Sequence, residues 1–164
     1  MSFYVQKLRA SVRLSQPNRD PRDGWLQLLP RLPQEPRPET ILDLLNSGRS
    51  VVPFIQAEDT GVLLFTRLNI EWVSIGAGTA PELVLPPGSA PTHEQRAELR
   101  FLDESRVDAV IQWQTHEEGV RLSDFLNSSP DFVAVKTRLG TLLVNKQRVR
   151  EIRIIESTSR ALGS

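Results

Sequence analysis

Apolar and polar residues alternate from Leu8 onward, with Leu8, Ala10, Val12 and Leu14 separated by Arg9, Ser11 and Arg13. A period of two puts one set on each face of a pleated chain, so the spacing predicts a half-buried strand within residues 3–14. Residues 16–24 are rich in Pro, Asn, Asp and Gly and read as a loop. An apolar run over 25–32 predicts a second strand, kept short or at an edge because Pro30 cannot donate to a ladder. Three prolines make 33–38 a loop. Ile41, Leu44 and Leu45 then fall at i, i+3 and i+4, which predicts a short helix over 40–46, entered through Pro38 and Glu39 and stopped near Gly48. Strands are expected at 51–56, 62–66 and 72–75, with a turn at 58–61 and a bend at 68–70.

Gly and Pro crowd residues 76–92 and mark the clearest boundary, with Leu83, Val84 and Leu85 apolar enough to tether the segment to a surface. Beyond it 97–101 alternates, 103–106 turns, 107–113 reads as a strand and 115–119 as a loop. Ser123 is expected to cap a short helix whose apolar face is Phe125 and Leu126. Strands follow at 132–137, 141–145 and 151–155, joined through 138–140 and 147–149.

The two halves repeat each other. Ile41-Leu42-Asp43-Leu44-Leu45-Asn46-Ser47 returns as Leu122-Ser123-Asp124-Phe125-Leu126-Asn127-Ser128. Aligned on these segments, Val51-Val52-Pro53-Phe54 falls on Phe132-Val133-Ala134-Val135, Leu63-Leu64-Phe65 on Leu142-Leu143-Val144, and Val73 on Ile152. Residues 9–13 resemble 96–100. The expected fold is mainly β: a tandem duplication of a small five-stranded, barrel-like unit of SH3-like or Sm-like type, with one short helix between strands 2 and 3. Closing each unit would hide edges that short strands expose. The expected organisation is 1–76 for the first unit, 77–94 for a Pro/Gly-rich linker, 95–158 for the second unit and 159–164 for a flexible tail. Reading from the first helix through Trp113 also yields one helix and five strands, so an exchange of strands between halves stays open.

Arg121-Leu122-Ser123-Asp124-Phe125-Leu126-Asn127, followed by Leu143-Val144-Asn145-Lys146, resembles a bacterial family of small β-barrel domains. In that family an Arg-x-Ser-Asp-x-Leu-Asn segment precedes a strand meander ending in an Asn-Lys turn. The first half departs from the pattern, with Thr40-Ile41-Leu42-Asp43 and Thr66-Arg67 in those places. The resemblance implies a fold and no activity. The glycine-bearing strand signature of RNA-binding Sm proteins is missing.

Composition narrows the function classes. The 164 residues carry 20 Lys and Arg against 20 Asp and Glu, so the basic excess of a dedicated nucleic-acid binder is missing. With no Cys there is no disulfide framework, thiolate metal site or cysteine nucleophile. No run reaches the roughly 18–20 apolar residues of a membrane helix, and the first residues lack a signal-type apolar stretch. The expectation is a cytoplasmic, non-enzymatic protein without cofactor or metal.

Candidate chemistry is sparse. His93 and His116 are the two histidines, and His116-Glu117-Glu118 lacks a second His at ligand spacing. Gly76-Ala77-Gly78 leads to Pro81 and not to a helix, so it is no phosphate loop. The recurring polar residues Asp43, Asn46, Asp124 and Asn127 are expected to bond nearby backbone at helix ends. Glu58-Asp59 and Asp103-Glu104 are expected in turns. Trp25, Trp72 and Trp113 are expected in core or inter-unit packing. Lys136, Arg138, Lys146, Arg148, Arg150 and Arg153 form a local basic set, a candidate interaction surface. The leading partner is another protein or a second copy of the chain; the alternative is RNA, held by the basic set.

Overall fold

The computed structural model describes residues 8–58, 61–88, 90–117 and 119–155, and the backbone of 160–161. The start of the first expected strand (3–7), Asp59 and Thr60 of the first turn, Glu118 and nearly all of the tail lie outside the described residues.

Ten strands and two short helices account for most of the rest. The first half comprises β1 (Leu8–Ser15), β2 (Arg22–Leu28), α1 (Ile41–Leu45), β3 (Val51–Gln56), β4 (Val62–Thr66) and β5 (Trp72–Ile75). The second comprises β6 (His93–Phe101), β7 (Arg106–Trp113), α2 (Leu122–Ser128), β8 (Phe132–Thr137), β9 (Gly140–Asn145) and β10 (Val149–Ile154). A 3-10 turn precedes β5 at Arg67–Asn69 and another precedes β10 at Lys146–Arg148. A two-residue strand, β11 (Arg160–Ala161), lies against the start of β6.

The fold is mainly β, with every ladder antiparallel. The strands follow one path, β10-β6-β7-β8-β9-β5-β1-β2-β3-β4. Within each half the order is therefore fifth, first, second, third, fourth. What joins the halves is the pairing of β5 with β9, through Trp72↔Val144, Val73↔Leu143 and Ser74↔Leu142. The expected closure into barrels is not made. Among the described residues no ladder links β4 to β5 or β9 to β10, and the sheet ends at β4 and β10. The fifth strand of the first half finds its partner in the second half instead.

Four local expectations need correction. β2 starts at Arg22 and ends at Leu28, because the Arg22-Asp23-Gly24 stretch is strand and not loop. Arg22 pairs with Leu14, and Gly24 is buried between Val12 and Gln56, where a Cβ would collide with the Ile55 carbonyl oxygen and the Phe54 ring. β6 starts at His93, ahead of the expected 97 and inside the expected linker, since Gln95 is buried opposite Ile111. The cap of α2 is Arg121 and not Ser123, with the Arg121 backbone N–H donating to Asp124 Oδ2 at 3.0 Å. The early strands also match two residues further along than 9–13 on 96–100. The ladders set Leu14 opposite Val73 and Leu99 opposite Ile152, so Leu14 corresponds to Leu99.

Apolar residues of β1 to β5 and α1 gather into one buried cluster, and those of β6, β7, β8 and β9 with Leu122 into a second. The first cluster borrows from the other half, since Phe132 and Leu143 belong to it. The segment between the halves is strapped to the first, with Val84 buried and its carbonyl accepting from the Leu42 N–H at 3.2 Å. No helix among the described residues is long and apolar enough to cross a membrane.

Candidate interaction surfaces

The junction between the halves shows what the exposed surfaces lack. Phe132 and Leu143 are 1% and 0% exposed because they fill the mouth of the first core. Burying side chains of this size stabilises by about 1.5–3 kcal/mol each. Asn46, a recurring polar residue of the first repeated segment, fixes the register. Its Nδ2 donates to the Phe132 carbonyl at 3.0 Å, and its Oδ1 accepts from the Phe132 N–H at 2.9 Å. This partner lies across the junction and not in nearby backbone as expected. Asn145 repeats the device from the other side, donating to the carbonyls of Leu68 and Ile70 at 3.3 and 2.9 Å. Arg67 and Asp131 add an ion pair at 3.0 Å, which with the Gln147 amide holds the Asp131 carboxyl below its ordinary range. Trp72 packs against the second core from β5, as an inter-unit residue.

Counting along the ladders finds the same positions unoccupied elsewhere. Val52↔Phe65 and Pro53↔Leu64 stand where Val133↔Val144 and Ala134↔Leu143 stand in the other half. Leu64 therefore holds the place of Leu143, and Val51 that of Phe132. Yet Leu64 is 68% and Val51 42% exposed. Val62 at 61% extends the apolar strip along the open edge β4. At the opposite end a cavity of about 430 Å³ opens under α2 and β10, walled by Leu126, Val135, Val144, Val149 and Ile152. Their counterparts Leu45, Phe54, Phe65, Ile70 and Val73 enclose Phe132 and Leu143 in the first core. Asn127, the counterpart of Asn46, lines this cavity and is exposed, and its carboxamide makes no hydrogen bond to a described residue.

The acidic members of the repeat do act locally. Asp43 accepts from the Thr40 N–H and hydroxyl, both at 2.9 Å, and pairs with Arg37 at 2.7 Å. Burial pushes its carboxyl up, but these donors outweigh it and leave the group below its ordinary range. Asp124 holds the start of α2 through the Arg121 amide. Both fit the expected role at helix ends.

The members of the basic set are held in different ways. Lys146 Nζ donates to the carbonyls of Leu126 and Ser129 at 2.5 and 2.8 Å, closing the end of α2. Arg150 pairs with Glu104. Arg148 is half-buried near Glu71, and its charge draws the Glu71 carboxyl down. Arg138 lies on the rim of a groove of about 890 Å³ shared by Trp72, Ile75, Val107 and Leu139, while Lys136 and Arg153 are exposed on β8 and β10.

One ionisable group was not foreseen. Glu71 is 1% exposed at the junction; Ser15 Oγ donates to its Oε1 at 3.2 Å, and Oε2 has no donor. Burial and the neighbouring Asp103 carboxylate push Glu71 up to about 7, against the pull of Ser15 and Arg148. Burial raises Asp103 as well, but donors from Ser105 and Asn18 bring it below its ordinary range. Below about pH 7 the pair therefore holds one proton, on Glu71. Its acidic neighbour, in a turn, was the only sequence signal.

Little else is chemically poised. His93 opens β6 and stacks on Trp113 at 5.5 Å between ring centres, and Phe125 lies 6.0 Å from the same indole. Trp113 is buried and Trp25 half-buried. Among the described residues no group of three or more His, Asp or Glu is placed to hold a metal ion. Comparison with protein-family models, curated proteins and solved structures found no match to the chain.

Proposed function

We propose that the chain is a non-enzymatic protein-interaction or scaffold module, a tandem duplication of a five-stranded SH3- or Sm-like unit, that takes its partner on the ends of its sheet. The observation that carries this reading is the exposed apolar strip of Val51, Val62 and Leu64 beside the edge of β4, which pairs with no further strand among the described residues. An edge presents unpaired backbone donors and acceptors, and natural edges are usually blunted by charge, proline or cover. This one is apolar where a solvated edge would be charged. The constant correspondence of ladders between the halves, and their shared strand order, support duplication.

RNA binding through Lys136, Arg138, Lys146, Arg148, Arg150 and Arg153 is the second reading. It stands second because Lys146 and Arg150 are already engaged within the chain. A gel-shift series at low ionic strength separates the two, since phosphate contacts strengthen steeply as salt falls.

The direct test is a pull-down with the intact chain from its native host, comparing wild type with Leu64→Lys. A protein partner retained by wild type and lost on Leu64→Lys is expected. Equal capture by both would overturn the use of this edge.

A further inference from the structure

We propose that the partner at these sheet ends is a second copy of the chain. The outer face of β3 and β4 of one molecule seats in the cavity under α2 and β10 of the next, so that the joint built inside each molecule is repeated between molecules. This rests on the reading of the sheet ends as interaction surfaces and names their occupant.

Three features point to the same docking. The first is the edge. Inside the chain the fifth strand of one half pairs with the fourth strand of the other, as β5 with β9, and the remaining fifth and fourth strands, β10 and β4, are the two open ends of the sheet among the described residues. Carrying the internal register over gives an antiparallel ladder of Glu151, Ile152 and Arg153 with Phe65, Leu64 and Leu63 of the neighbouring copy. The second is the apolar fit. Phe132 and Leu143 are buried in the first core, whereas their counterparts Val51 and Leu64 are 42% and 68% exposed. The cavity of about 430 Å³ that would receive them has the corresponding walls, including Val135 and Ile152. The third is the polar lock. Asn46 brackets the Phe132 peptide with two hydrogen bonds, and the same geometry sets the free carboxamide of Asn127 against the peptide of Val51 in the next copy.

The two surfaces differ, so the contact is heterologous: every molecule offers one knob and one socket. Such contacts propagate into a closed ring or a filament, according to the rotation at each joint.

The test uses the full chain in light-scattering chromatography and sedimentation velocity across a concentration series. Wild type is expected above the 18.5 kDa of the single chain. Leu64→Lys spoils the knob and Ile152→Lys the socket, so each alone is expected as a monomer with an unchanged circular dichroism spectrum. Mixed, they are expected to form a dimer and nothing larger, because each retains the surface the other lost. Asn127→Ala, a milder change at an exposed position, should weaken association roughly ten-fold, as loss of one good hydrogen-bonded contact does. A monomeric wild type at high concentration, unaltered assembly of the variants, or a mixture that stays monomeric would overturn the proposal. If wild type is monomeric yet still loses a foreign partner on Leu64→Lys, self-assembly fails and the interaction reading stands.

Discussion

Ile70 and Val73 are wholly buried, while Val149 and Ile152, which hold the same ladder positions in the second half, are only half-buried. The same contrast runs through the helices: Leu44 and Leu45 are buried, Phe125 and Leu126 half-buried. The two halves share strand order and pairing. They differ in what sits at the mouth of the core, which is Phe132 and Leu143 in one case and no described residue in the other. Completeness of a small β core is thus decided by its neighbour as much as by its own residues, as expected where a short sheet buries too little apolar area alone.

Substitutions at matched positions put this contrast to the test. Phe132→Ala empties the filled mouth and should cost about 3–5 kcal/mol. The matched change Val51→Ala, at an exposed site, should cost within roughly 0.5 kcal/mol. Denaturant titration of dilute protein measures both, and equal costs would abolish the distinction. Asn46→Ala strands the Phe132 peptide groups at the junction and should cost about 1–3 kcal/mol. Asn127→Ala should leave the midpoint of dilute protein nearly unchanged.

Gly24 and Ala109 hold matched places on β2 and β7, yet the first has no room for a Cβ. Gly24→Ala should therefore destabilise by roughly 1–3 kcal/mol through overpacking. Ala109→Gly should cost about 1 kcal/mol or less through backbone freedom. Thermal unfolding of the pair decides whether the first half is the more tightly built.

A further effect depends on pH. Glu71 is buried at the closed joint, while its counterpart Arg150 is exposed and paired with Glu104. The folded-state pKa of Glu71, about 7, lies above its ordinary 4.5. The protonated group's contribution to stability is thus fully present below about 4.5 and is lost as pH rises through about 7. Glu71→Gln, which stays neutral, should raise the melting temperature at about pH 8 by roughly 3 °C or more and change little at about pH 4. An equal shift at both values would remove Glu71 as the source.

How much of this was readable beforehand follows from the range of each interaction. Alternation in β1 and the i, i+3, i+4 spacing of α1 are local, and both elements lie where that spacing puts them. The capping roles of Asp43 and Asp124 are equally local. The starts of β2 and β6 escaped notice because they carry the charged residues Arg22, Asp23, Glu94 and Arg96, and because a buried Gly24 spells loop until Phe54 and Ile55 are known to lie against it. Asn46 was misjudged for a related reason. A carboxamide at a helix end normally serves that end, and nothing near it in sequence announces a peptide 86 residues away. The open ends of the sheet were hidden by the assumption that five strands close upon themselves.

The placement of Phe132 and Leu143 also imposes an order of events on the growing chain. Translation delivers β5 well before β9, and at about 5–20 residues per second the interval is roughly 4–14 s. Throughout it the first half has every strand of its own but not the two side chains that seal it, and the loop that must close to bring them back is long. The ribosome therefore releases a unit whose apolar mouth and β5 edge are both uncovered. Its protection during synthesis comes from whatever shields that edge until residue 145 has emerged.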